Sequence, residues 1–133
     1  RGLYFPVFMV IGVSLGWAQV DFSRDVQPVL RKNCYACHGP GMQQSGFRLD
    51  DAAAALRGGY SGAAIVPGKP LESALLKRVH GEQGLPVMPP GGKKLSEAER
   101  DVLTRWIAEG AKFPATHVAA GRAVAPRSKH WAF

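Results

Sequence analysis

Both cysteines of the chain fall in one pentapeptide, Cys34-Tyr35-Ala36-Cys37-His38. No other feature limits the possible folds as strongly. Thiols three positions apart at a helix end lie on one side of the chain. A histidine directly after the second thiol is then fixed beside them. C-x-x-C-H is the attachment signature of c-type haem. Each thiol adds to a vinyl group to form a thioether, and the histidine becomes an axial ligand of the iron. Competing readings explain less. A thioredoxin-like redox pair wants a βαβ context, which is missing. A structural zinc needs a fourth ligand, yet no second cysteine pair or paired histidines follow. A plain disulfide leaves His38 unexplained. The motif therefore predicts one covalent haem c held by Cys34 and Cys37, with His38 on the iron.

The rest of the body suits a domain built around a cofactor. At 133 residues the chain has the length of one domain. Four short helices are predicted, and little strand, because no stretch alternates with period two. Ser23 or Asp25 can cap the first, which runs to about Cys34 with Pro28 near its first turn. Asp50-Asp51 precede a helix-prone Ala52–Leu56, stopped by Gly58-Gly59. A third starts at Pro70–Leu71, places Leu71, Leu75, Leu76 and Val79 at helical spacing, and ends before Gly81. The fourth opens on the capping box Ser96-x-x-Glu99, carries Val102, Leu103, Trp106 and Ile107 as one stripe, and stops at Gly110. Trp106 and Leu103 are expected to pack on the first helix and the haem face. Gly81–Gly92 holds seven glycines and prolines in twelve residues and must be a loop. Four short helices enclose little apolar surface for so much loop, and a haem would fill the centre.

A second iron ligand is expected in that loop. Met88 stands 50 residues beyond His38 in Leu85-Pro86-Val87-Met88-Pro89-Pro90, where flanking prolines can hold a thioether toward iron at little entropic cost. His/Met ligation is common among cytochromes c. Met42 follows His38 too closely for the chain to wrap the haem edge and reads as an exposed loop residue. His80 sits at a helix C-terminus, where an imidazolium is favourable in any case. Arg48 is a candidate partner for a haem propionate as well as an ordinary solvated arginine. Lys93 and Lys94 read as solvated charges beside the Met88 loop.

The ends of the chain differ from its middle. Leu3 to Leu15 is apolar and free of charge, and Gly16-Trp17-Ala18 offers a small-x-small cleavage site after a single basic residue. Residues 1–18 are read as a secretory signal peptide, too short to span a bilayer. No stable membrane span is expected after cleavage, and the mature protein is placed in the periplasm or elsewhere outside the cytoplasm. Net charge is +7, but Arg1 and the three cations of the last 20 residues supply four of those charges. A +3 body of mixed sign is no nucleic-acid footprint.

In order along the chain come Asp25-Val26-x-Pro28-Val29-Leu30, Asn33-Cys34-x-x-Cys37-His38-Gly39-Pro40 and Ser45-Gly46-x-Arg48-Leu49-Asp50. Ile65-Val66-Pro67-Gly68-x-Pro70-x-x-Ser73-x-Leu75-x-x-Arg78-Val79 and Met88-Pro89-Pro90-x-Gly92-x-x-Leu95-Ser96-x-x-Glu99 follow, then Leu103-x-x-Trp106-Ile107-x-x-Gly110-Ala111. As a set these resemble the planctomycete-type cytochrome c domain, a variant of the class I cytochrome c fold, over residues 21–113. The resemblance implies an all-α fold of about four short helices around one haem. It also implies attachment at Cys34 and Cys37, a proximal His38 and a distal Met88. Such domains open larger exported proteins, and Ser128-Lys129-His130-Trp131-Ala132-Phe133 is similar to the start of the following part. Residues 114–133 are therefore expected to be a linker toward a further domain.

The expected function is single-electron transfer by an exported mono-haem cytochrome domain. Its partner is a redox protein or an attached downstream domain. An iron left open by Met88 would instead bind or reduce a small ligand such as peroxide. A haem that only staples the fold is the third reading. No residues suited to proton transfer stand out for an enzyme.

Overall fold

The computed structural model describes residues 16–119 apart from 83, together with 2 and 12. Most of the expected signal segment and the tail beyond 119 lie outside the described residues. The described chain is all-α. It holds no strand, only two isolated bridges, His38 with Gln43 and Gly59 with Gly62. The helices are α1 (Gln27–Asn33), α2 (Ala52–Arg57), α3 (Ala74–His80), α4 (Glu97–Ala108) and α5 (Ala115–Ala119).

The expected first helix is two pieces. Phe22–Val26 is a π-helical turn, and α1 follows it with Pro28 in its first turn. Proline has no N–H to give to the carbonyl four residues back, so the turn before it widens. The Gln27 N–H reaches Phe22 O instead. The cap is Asp21, not Ser23 or Asp25: its side chain accepts from Arg24 N at 2.7 Å. Asp25 closes the turn from the other end, accepting from Asp21 N at 2.9 Å. The Arg24 guanidinium grips Asp25 and holds its carboxyl down to about 2.

The third helix also starts later than its periodicity suggests. Pro70–Glu72 forms a 3₁₀ turn, and Ser73 is extended before α3 begins. The buried Ser73 hydroxyl accepts from Val66 N at 2.9 Å and donates to Lys69 O at 3.0 Å. That knot turns Leu71 out of the helical stripe, and it is 88% exposed. α2 and α4 form as expected. Asp51 caps α2 by accepting from Ala54 N at 2.8 Å. Ser96 and Glu99 form the reciprocal capping box of α4.

The core is centred on α4. Leu103, Trp106 and Ile107 are buried against Phe22, Val26 and Leu30 from the N-terminal turns and against Leu76 and Val79 from α3. Trp106 is 1% exposed, and its Nε1 donates to Lys112 O at 3.0 Å. Phe22, Trp106 and Phe113 stack mutually with centroids 4.8 to 5.7 Å apart, a geometry worth about 0.5–1.5 kcal/mol per pair beyond burial. The short helix α5 has no counterpart among the four expected helices. His117 lies edge-on to Phe22 at 4.9 Å and meets Gln27 at 3.2 Å. Within the stretch expected to be a linker from 114, the backbone is helical over Ala115–Ala119 and His117 packs against the body.

Candidate functional site

The pentapeptide leaves α1 as one further turn. Cys34 N donates to Leu30 O at 2.8 Å, and His38 N donates to Cys34 O at 2.8 Å. Cys34, Cys37 and His38 stand at i, i+3 and i+4, so the turn presents them on one side. Gly39 follows because the chain folds back tightly: a Cβ there would collide with the Tyr35 carbonyl. The next ten residues then lie over the motif. Gln44 N donates to Cys37 O, and Leu49 N donates to His38 O, both at 2.8 Å.

That return fixes the imidazole. His38 Nδ1 lies 3.1 Å from Phe47 O. A carbonyl can only accept, so Nδ1 carries the proton and Nε2 keeps its lone pair for a ligand. The Phe47 ring packs beside the imidazole at 5.3 Å. No sequence signal marks Phe47 for this role, since the group involved is a backbone carbonyl.

Beside the motif is a mostly apolar cavity of about 340 Å³, within the range of about 300–1,000 Å³ usual for ligand sites. Its lining joins Cys34, His38, Phe47 and Leu49 to Leu75 and Val79 of α3 and to Met88. Met88 is brought there by its loop, which is tied to α3: Met88 N donates to Arg78 O at 3.1 Å. Gly81 makes the sharp exit from α3 in the left-handed region, with φ 73°. The structure therefore gathers Cys34, His38 and Met88 around one cavity. Cys37 is half-buried beside it and does not line it.

Other candidates lie elsewhere. Met42 is 50% exposed. His80 lines a separate shallow cleft with Leu71 and Thr104. Lys93 and Lys94 are exposed. Trp106 and Leu103 sit in the core and do not line the cavity, so their expected place on the haem face is not realised. Arg48 is committed to Asp50 through two hydrogen bonds, Nε to Oδ1 at 2.9 Å and Nη2 to Oδ2 at 2.5 Å. Tyr60 and Arg78, which no sequence motif singles out for the site, both line it. Arg78 was legible in principle: it is one turn after Ala74 and next to Val79, on the face that α3 turns to the cavity.

The donor set suits a covalently attached haem. An imidazole with a free Nε2 and a thioether are the usual pair on a low-spin iron, and apolar walls suit a porphyrin. The thiols do not suit dithiol redox work. Burial, with the charges of Glu99 and Cys37, pushes the Cys34 thiol up to about 11, so it holds little thiolate at neutral pH. Both cysteines are free thiols, and among the described residues no cluster of three or more His, Cys, Asp or Glu could hold a metal ion.

No curated protein matches the chain. One solved structure, the hydrazine synthase of Kuenenia stuttgartiensis, is similar at 24% identity and a TM-score of 0.43. The match covers 69% of this chain and 16% of that one, so the chain spans about a sixth of its length. Residues 34–92 match the family described as planctomycete cytochrome C. That matched stretch carries the haem-attachment motif, Met88 and the residues that line the cavity.

Proposed function

We propose that the chain is an exported mono-haem electron carrier with a class I cytochrome c-like fold over residues 21–113. Cys34 and Cys37 hold the haem, and His38 and Met88 bind its iron. The observation that carries this reading is that His38 and Met88, far apart in sequence, line one cavity while Phe47 O accepts a hydrogen bond from the imidazole Nδ1. When bound, the haem supplies an iron that cycles between Fe(II) and Fe(III) by single electrons.

The chain's own residues set the conditions for that cycle. Phe47 O fixes the tautomer and orientation of His38 and raises its basicity as a ligand. Phe47, Leu49, Leu75 and Val79 exclude water, which penalises the more highly charged ferric form and favours a high potential. The Arg78 carbonyl accepts from Met88 N and holds the loop in place, and Met88 on the iron would shut out small ligands. The electrons pass to or from a diffusing redox protein or a domain joined after residue 113. Export follows from the apolar leader; among the described residues no helix is long and apolar enough to cross a membrane.

The test is to express the chain with export in a host that matures c-type cytochromes and take its pyridine haemochrome spectrum. One c-type haem per chain that survives acid–acetone extraction is expected. No covalent haem from a competent host overturns the reading.

A further inference from the structure

Arg78 is the one arginine or lysine among the residues that line the cavity. Among the described residues it forms no ion pair within 4.0 Å, whereas Arg24, Lys32, Arg48, Lys69 and Arg105 each have a carboxylate partner. Its one side-chain hydrogen bond is long, from Nη1 to Pro86 O at 3.5 Å. A guanidinium beside an apolar wall, with four of its five N–H groups unused within the described residues, has donors to spare for a further ligand. A planar carboxylate is the ligand its fork fits best. Arg48, the candidate from sequence, does not line the cavity and turns its Nε and Nη2 to Asp50.

We infer that Arg78 is the residue that pairs with a propionate carboxylate of the bound haem. The same residue tethers the distal ligand: its carbonyl accepts from Met88 N at 3.1 Å, and its guanidinium reaches Pro86 O two residues earlier. Arg78 thus joins the anionic edge of the haem to the loop that carries Met88, and it acts as a positioning residue. This rests on the haem reading proposed above.

The experiment uses the haem-loaded wild type, Arg78→Gln and Arg78→Lys at a pH well above the carboxylate range. Gln keeps a donor for the Pro86 carbonyl and removes the charge; Lys keeps the charge and loses the fork. Removing a cation next to the haem favours the ferric state. In Arg78→Gln the Fe(II)/Fe(III) ratio at a fixed potential should therefore fall several-fold, a tenfold fall being about 59 mV for a one-electron couple. Arg78→Lys should restore most of it, with the weak red absorption of Met-ligated ferric haem intact. The inference alone is overturned if the wild type holds covalent haem and Gln leaves the potential unchanged. It also fails if Gln and Lys lower the potential equally, because Arg78 would then act only through the loop. No covalent haem in the wild type overturns both this inference and the reading beneath it.

Discussion

Glu99 joins the start of α4 to the end of α1, and its removal has a calculable cost. Its carboxylate accepts from Ser96 N at 2.9 Å, which closes the capping box of α4. It also takes Lys32 Nζ at 2.8 Å, from the last turn of α1 just before Cys34. The cap is worth about 1 kcal/mol. Lys32 is 71% exposed, so solvent screens the ion pair to about 0.2–1 kcal/mol. Glu99→Ala should then cost about 1–2 kcal/mol, and a domain of this size melts about 4–8 °C lower per kcal/mol. Glu99→Gln keeps a side chain able to cap and should lose the smaller, ionic part only. The hydrogen bond from Lys32, then that from Ser96 N, holds the Glu99 carboxyl at about 2 against an ordinary 4.5. A carboxyl depressed by folding stabilises fully above its unfolded value, and the benefit fades as pH falls from 4.5 toward 2. The assay is thermal melting of the haem-loaded chain by far-ultraviolet circular dichroism at a series of pH values. The gap between wild type and Glu99→Ala should be full at pH 6 and shrink steadily below the unfolded carboxyl value. A gap that stays constant down to about pH 3, or no gap at pH 6, refutes the assignment of that stability to the ionised carboxylate.

Met88→Ala should keep one covalent haem per chain yet let the ferrous protein bind carbon monoxide, which the wild type should refuse; equal binding by both would refute ligation by Met88. Trp106→Ala removes the largest fully buried side chain and its hydrogen bond to Lys112 O, at about 3–5 kcal/mol, so thermal or urea unfolding should show a large loss of stability. Gly39→Ala drives a Cβ into the Tyr35 carbonyl and should cost about 1–3 kcal/mol, read from the urea midpoint; a neutral result would mean the turn after His38 is free to relax.

What could be read from the sequence was what local chemistry decides. The capping box and stripe of α4 need only residues within one helix, and both are present. The pentapeptide shaped the expected site because covalent attachment demands that spacing. The misread elements depended on competition or on distance. Pro28 splits the first helix by a missing hydrogen bond, and the buried Ser73 hydroxyl takes Leu71 out of its stripe. α5 is five residues long and is held by rings some 90 positions earlier, so no local signal marks it. Arg48 had its partner two residues away in the sequence, a pairing that leaves the cavity to Arg78. The Phe47 carbonyl belongs to the backbone and could not be read from residue type at all.

The places where the described chain begins and ends carry a consequence for assembly. Arg105 donates to Ala18 O at 3.0 Å, Glu109 accepts from Val20 N at 2.8 Å, and the Arg105 guanidinium lies 5.8 Å from the Trp17 ring centre. At the other end His117 rests on Phe22 and Gln27. No residue of α1, α2, α4 or α5 lines the cavity. Trp17, Ala18, Val20 and His117 are therefore moored to the scaffold and none of them to a wall of the cavity. A pull on Ala18 or His117 would thus load the helical scaffold before the cavity wall, as a wall socket's mounting takes the strain and its contacts do not.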